Sequence, residues 1–228
     1  TSDTPAGASL GALDLSGSPS DLGATPWNVD GGDAAKLNNL SAITLTAWIK
    51  VPTGGVVNAG DRIMSRISSA TSPGFDFRMG VGTGGALPPS ALILDFSVNG
   101  TAGSPNSGSA VVDADNKWAF VAVTYDGSSR TFYYGSETDA VSILGTTAIY
   151  SRGAVGAVTA PFLVGDTAAT TSDRTPQAYI DDVRVYDTVL SISELDAIRL
   201  SNVPEPVGLS LLGLAGTVLL RRRNTEQG

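Results

Sequence analysis

The sequence predicts an all-β fold, an antiparallel two-sheet sandwich, and three observations carry that expectation. Apolar residues recur at every second position in segment after segment, the period of a strand with one face turned to a core. Clusters of Gly, Pro, Asn and Asp separate these segments, in a chain with 27 Gly and 12 Pro among 228 residues. Just three Lys and four Glu occur, and no long helical pattern interrupts the alternation, so strands joined by turns are the economical solution.

Taken in order, Ile43, Leu45, Ala47, Ile49 and Val51 share one face of a strand, opposite Thr44, Thr46, Trp48 and Lys50. Phe75, Phe77 and Met79 alternate with Asp76 and Arg78. Leu92, Leu94 and Phe96 lead to Asn99-Gly100, a pair that accepts the left-handed conformations of a tight turn. A long strand over 118–125 turns at Asp126-Gly127 into a partner over 130–134, and segments 141–144, 162–164 and 179–186 complete the set. The Trp and Tyr rings on such strands are expected to be half-buried. One short helix is expected late in the chain, where Ser191 and Glu194 have capping-box spacing and Leu195 with Ile198 gives an apolar face. The loops 53–61, 80–90, 101–109 and 167–177 are rich in Gly, Ser, Thr and Pro, and binding specificity is expected there. No internal repeat and no second domain is visible in this body.

Residues 203–228 differ in kind. Val203-Pro204-Glu205-Pro206 leads into an uncharged apolar run over 207–220, closed by Arg221, Arg222 and Arg223. As a helix the run spans roughly 21 Å at about 1.5 Å per residue, short of the about 20 residues of a full bilayer crossing. Snorkelling arginines and interfacial prolines make up the difference. Basic flanks stay on the cytoplasmic side, which leaves residues 1–202 outside the inner membrane. The short length favours a transient tag over a permanent anchor. This tail resembles a PEP-CTERM sorting signal of Gram-negative bacteria, with Val203, Pro204, Glu205 and Pro206 as sorting motif and the three arginines as membrane stop. The resemblance implies an exosortase-type sorting protease as partner, an inner-membrane intermediate, then placement at the cell surface or in the extracellular matrix. The ending Asn224-Thr225-Glu226-Gln227-Gly228 is longer and less basic than usual. The body begins polar at Thr1-Ser2-Asp3, so this reading expects a signal peptide that has been removed or omitted ahead of it.

Charge and composition exclude several functions. A net charge of −8 repels phosphate backbones, so no nucleic-acid partner is expected. Cys is absent, which excludes a disulfide framework, thiol catalysis and cysteine-held metals. His is absent too, so Ser-His, Cys-His and histidine-zinc arrangements cannot be assembled.

Three strand motifs carry a second resemblance. Leu45-Thr-Ala-Trp-Ile-Lys-Val51, Lys117-Trp-Ala-Phe-Val-Ala-Val-Thr-Tyr-Asp-Gly127 and Tyr179-Ile-Asp-Asp-Val-Arg-Val-Tyr186, the last followed by Leu190-Ser191, are similar to those of a laminin-G-like domain of the concanavalin A-like group. The similarity runs from about Ser9 to Leu200. It departs at Ala119-Phe120 and at Phe132-Tyr133-Tyr134-Gly135. The resemblance sharpens the fold to a two-sheet antiparallel jelly-roll sandwich over 1–202, plus one short C-terminal apolar helix that forms a short transmembrane segment within 203–228.

Glycoside hydrolysis takes two carboxyl groups flanking the scissile bond, and the retaining enzymes of this fold group resemble one another in a Glu-x-Asp-x-x-Glu or Glu-x-Asp-x-Glu strand. The body offers Glu137, in a Ser-Glu-Thr-Asp turn, and Glu194, in the capping box. No catalytic residue is assigned and no enzyme is expected; a glycoside hydrolase is the lesser alternative. The expectation is a non-catalytic surface or matrix module that binds a glycan or a protein, with a structural surface-layer role lacking a specific ligand as the alternative. Similar domains hold a structural calcium through an acidic residue of the closing strand and loops near the first, which makes Asp14 and Asp181 the calcium candidates; ordinary surface aspartates are the competing reading. Asp181-Asp182 on a regular strand would point to opposite faces and cannot converge on one ion. Asp113-Ala114-Asp115-Asn116 lacks EF-hand spacing and reads as a solvated turn. Trp27 with Tyr134 or Tyr150 are conceivable sugar-stacking rings, whereas Trp48 and Trp118 are expected to pack structurally.

Overall fold

The structure is a computed structural model that describes residues 13–15, 34–80, 85–100, 106–108, 110–168 and 174–201. The tail at 203–228, Trp27 and the side chain of Asp14 lie outside the described residues. Among the described residues, twelve strands run in chain order as β1 (Leu13–Asp14), β2 (Ile43–Lys50), β3 (Val57–Asn58), β4 (Arg62–Arg66), β5 (Phe75–Met79), β6 (Ala86–Leu87), β7 (Leu94–Val98), β8 (Ala119–Tyr125), β9 (Ser129–Ser136), β10 (Ser142–Ile149), β11 (Leu163–Val164) and β12 (Tyr179–Tyr186), and the helix α1 (Ile192–Leu200) follows. A six-stranded antiparallel sheet has the order β1-β12-β2-β8-β9-β10, a four-stranded one β11-β4-β5-β7, and β3 with β6 forms a small ribbon. This is the predicted antiparallel sandwich with one short helix near the end of the body.

The core lies between the two large sheets. Ile43, Leu45, Ala47 and Ile49 of β2 join Val121, Val123 and Tyr125 of β8 on one side, and Phe75, Phe77 and Met79 of β5 join Leu94, Phe96 and Val98 of β7 on the other. Phe77 and Phe132 stack across the gap with centroids 6.5 Å apart. Alternation of period two therefore does the work expected of it: the inward set is apolar, and the register of each antiparallel pair follows.

The outward face of the six-stranded sheet departs from the sequence expectation. Trp48 and Trp118 were expected to be half-buried, yet Trp48 is fully buried and Trp118 nearly so. With Phe120, Ala122, Tyr133, Val141 and Leu195 they form a second apolar cluster, and Trp48 meets Phe120 edge to face at 5.5 Å. The physical reason is α1, which returns over the sheet and turns an expected solvent face into an interior. Its start is fixed by the capping box: Ser191 Oγ accepts from Glu194 N–H, and the Glu194 carboxylate accepts from Ser191 N–H. Gly135 makes the close approach possible, because a Cβ there would lie 2.9 Å from Arg199 Cδ. Arg199 donates through Nη1 to Ser136 O at 2.8 Å. The two departures from the laminin-G-like motif, at Ala119-Phe120 and in the Phe132–Gly135 stretch, thus fall where the core and this lid pack.

Two other strands differ in detail. Leu92 precedes β7 and instead bridges Val112. β12 is not regular: its pairing with β2 shifts between Asp181 and Arg184, and Asp182 takes a left-handed φ of 46°. Among the described residues no helix is long and apolar enough to cross a membrane.

Candidate functional site

On β5, Phe75, Phe77 and Met79 face the core, so the residues between them, Asp76 and Arg78, face outward. The register pairs Asp76 with Ser65 of β4 and Ser97 of β7, and Arg78 with Asp95 of β7. The outward face of the four-stranded sheet is therefore polar and charged where its counterpart on the six-stranded sheet is aromatic.

Arg62 grips Asp76 with both forks, Nε donating to Oδ1 at 3.0 Å and Nη2 to Oδ2 at 2.8 Å, and its Nη1 donates to Gly60 O. Arg78 Nη1 donates to Asp76 Oδ2 at 3.3 Å, while its Nε and Nη2 donate to Asp95 Oδ2 at 2.8 and 2.5 Å. From β9, Arg130 donates to Phe96 O and places Nη1 3.8 Å from Asp95 Oδ1. The two aspartates are 1% exposed and the Arg78 side chain keeps 14%, which makes Arg78 the least buried member of the ladder.

Burial raises the Asp95 carboxyl from its ordinary value, opposed by its ion pair with Arg78 and by Arg130. Burial also works against the Arg78 charge, but Asp76 and Asp95 outweigh it and hold the guanidinium above its ordinary value. Burial brings Arg130 down to about 10, against the pull of Asp95 and Tyr150, so it stays cationic at neutral pH. Arg78 occupies an oxygen of each aspartate, so the pair is committed to guanidinium and poorly placed to carry protons. The arrangement suits recognition: fixed charges and directed N–H donors on a rigid sheet.

The residues singled out from sequence fall elsewhere. Asp181 lies on β12 opposite Trp48, and the backbone register sets position 14 opposite Tyr179, two residues along the strand. Asp181 Oδ1 accepts from Asp182 N–H at 2.7 Å, its Oδ2 is buried with no partner, and burial raises its carboxyl. Asp182 pairs instead with Arg184 at 2.7 Å. The expectation of opposite-facing side chains assumed a regular strand; the bulge replaces it. Asp182 Oδ2 is likewise buried without a partner, and such orphaned oxygens are hard donors of the sort calcium takes, but among the described residues no group of three acidic side chains gathers around a common point. Asp113, Asp115 and Asn116 form a turn, with Asp115 N–H donating to Asp113 Oδ1 at 3.2 Å and Lys117 Nζ 2.5 Å from Asp113 Oδ2. Tyr150 is no stacking platform: it is buried, with the guanidinium carbons of Arg130 and Arg152 at 4.5 and 5.2 Å from its ring centre and Tyr125 at 5.9 Å. Tyr134 is half-buried.

The sequence reading missed Arg62, Asp76, Arg78, Asp95 and Arg130 as a group. The signal was present in part, since Asp76 and Arg78 stand at outward positions of a predicted strand. What was lacking was the pairing of three strands that brings opposite charges side by side.

A family model described as the concanavalin A-like lectin/glucanases superfamily matches residues 28–196. Among solved structures, the SAP-like pentraxin from Limulus polyphemus is similar at a TM-score of 0.53 and 16% identity, covering 75% of each chain. The CBM40 of the Ruminococcus gnavus IT-sialidase, bound to α2,3-sialyllactose, matches at a TM-score of 0.50 and 14% identity, covering 77% of this chain and 92% of that one. A leech intramolecular trans-sialidase matches at 0.51 and 14% identity over 79% of this chain and 26% of its own. No curated protein matches the sequence. At these identities the likenesses establish the fold.

Proposed function

The chain belongs to the concanavalin A-like lectin/glucanases superfamily, and from that premise we propose that it is an exported, non-catalytic module that binds a glycan at the cell surface or in the extracellular matrix. The observation that carries the reading is the charged outward face of the four-stranded sheet, with Arg78 as its least buried member. Rigid backbone and pre-paired side chains lower the entropic cost of holding a ligand. Binding modules that share the fold add support, since one is bound to a sialylated sugar. The non-catalytic part rests on the carboxylates: Glu194 serves the helix cap, Asp76 and Asp95 serve arginines, and Glu137 stands in the β9–β10 turn. Delivery rests on the PEP-CTERM-like tail, Val203 to Pro206 followed by Arg221 to Arg223, which an exosortase-type protease would process after export. Calcium at Asp181 with Asp14 would stiffen the β1–β12 edge.

The test uses the whole chain. On a glycan array, binding to at least one saccharide is expected, with a chelator arm reporting any calcium dependence; binding to none rejects the reading in favour of a structural matrix role. Release of reducing sugar from extracellular polysaccharide would show an enzyme. Intact mass and location in cells with the sorting protease should show a product that has lost the tail from the inner membrane. A full-length product retained there overturns the delivery reading.

A further inference from the structure

We propose that the charged face selects glycans by a carboxylate group on the sugar, with the Arg78 guanidinium as the recognition centre; this rests on the glycan-binding reading above. The first argument is charge balance. The ladder holds three guanidinium groups, Arg62, Arg78 and Arg130, against two carboxylates, Asp76 and Asp95. Within the ladder guanidinium groups outnumber carboxylates three to two, in a chain of net charge −8.

The second argument is donor capacity. A guanidinium carries five N–H donors, two of them on each terminal nitrogen. Arg78 Nη1 and Nη2 each direct one bond, to Asp76 and Asp95, so each keeps a donor, and the side chain, 14% exposed, is the least buried in the ladder. Two donors from adjacent terminal nitrogens match the two oxygens of a planar carboxylate. Behind them, Arg130 Nε and Nη2 are buried without a hydrogen-bond partner, the guanidinium carbon lying 4.5 Å from the Tyr150 ring centre and 5.2 Å from that of Phe132.

The third argument excludes other anions. The net charge of −8 repels a densely charged chain, so the fitting ligand presents an isolated acid group among neutral hydroxyls. That describes a uronate carried on a neutral oligosaccharide, and it excludes nucleic acid and continuous polyanions.

The experiment is calorimetry of the whole chain with a matched pair, xylotetraose and xylotriose bearing one glucuronate, at low and at 0.3 M salt. The acidic sugar should bind at least tenfold more tightly, with the advantage shrinking in salt. Arg78→Gln should remove that advantage. Arg78→Lys keeps the charge but not the fork and should lose most of it, and it stands in if the Gln variant does not fold. Arg184→Gln, on the other sheet, should bind as the parent does. Equal binding of the two sugars, or folded Arg78 variants that keep the preference, overturns the proposal while leaving glycan binding intact. Binding of no glycan in any arm or on the array rejects the underlying reading itself.

Discussion

The two sheets of this sandwich each bury an outward face, and they do so with opposite chemistry. On the six-stranded sheet, Trp48, Phe120 and Tyr133 disappear beneath α1. On the four-stranded sheet, Asp76 and Asp95 are equally hidden, held by Arg62, Arg78 and Arg130. Apolar burial stabilises each side chain largely on its own account. An ionic ladder is different: its attraction mostly offsets the cost of removing charges from water, so its members matter to one another more than to the fold. The aromatic face is thus expected to serve stability, and the charged face specificity.

The largest effect should come from the aromatic face. Phe120→Ala removes a buried ring packed edge to face on Trp48 and should cost about 3–5 kcal/mol, read from chemical denaturation. Asp76→Ala strips the carboxylate that both Arg62 and Arg78 use and should cost about 3 kcal/mol. Here the comparison can be broken. The double variant Arg62→Met with Asp76→Leu should recover more than half of that loss, because Arg78 keeps Asp95; if the double variant is as unstable as the single, the ladder is a stability element after all. A smaller loss, about 1 kcal/mol, is expected for Ser191→Ala, which opens the helix cap over the aromatic cluster.

The smallest effect is a pH dependence of opposite sign on the two sides. Asp196 of α1 is held below its ordinary value, first by its bond from Arg199 and then by Val141 N–H. Its contribution is full above the unfolded value near 3.8 and is lost as pH falls through the lower folded one. Asp95 is raised by burial, so its contribution favours the fold below 3.8 and is lost as pH rises toward the folded value. Acid titration of stability should therefore be flatter at its low end in Asp196→Asn, and the fall just above pH 3.8 should vanish in Asp95→Asn.

The strands were legible because each alternation has a local cause. The inward residues of β2, β5 and β8 can be read without knowing any neighbour. So can the turn at Asp126-Gly127, where Asp126 Oδ1 accepts from Ser128 and Ser129 N–H, and the cap at Ser191. What was illegible depends on distant pairing. Trp48 looks half-exposed until a helix more than 140 residues later covers it. Asp76 looks like an ordinary outward carboxylate until β4 and β7 place Arg62 and Asp95 beside it. The bulge at Asp181–Arg184, with its left-handed Asp182, leaves no local mark beyond an Asp pair.

The position of α1 has a mechanical consequence. A pull applied beyond Ser201 reaches the helix before it reaches the sandwich, and peeling α1 away unzips the Trp48 cluster one contact at a time. Past the helix, the same pull acts along β12, which is clamped between β1 and β2 by antiparallel pairing on both sides, so the load there runs parallel to the strand and must shear many hydrogen bonds together. A domain tethered through its C-terminal side is in this way fitted with a yielding clip in front of a rigid anchor, and the charged face on the opposite sheet stays outside the path of the force.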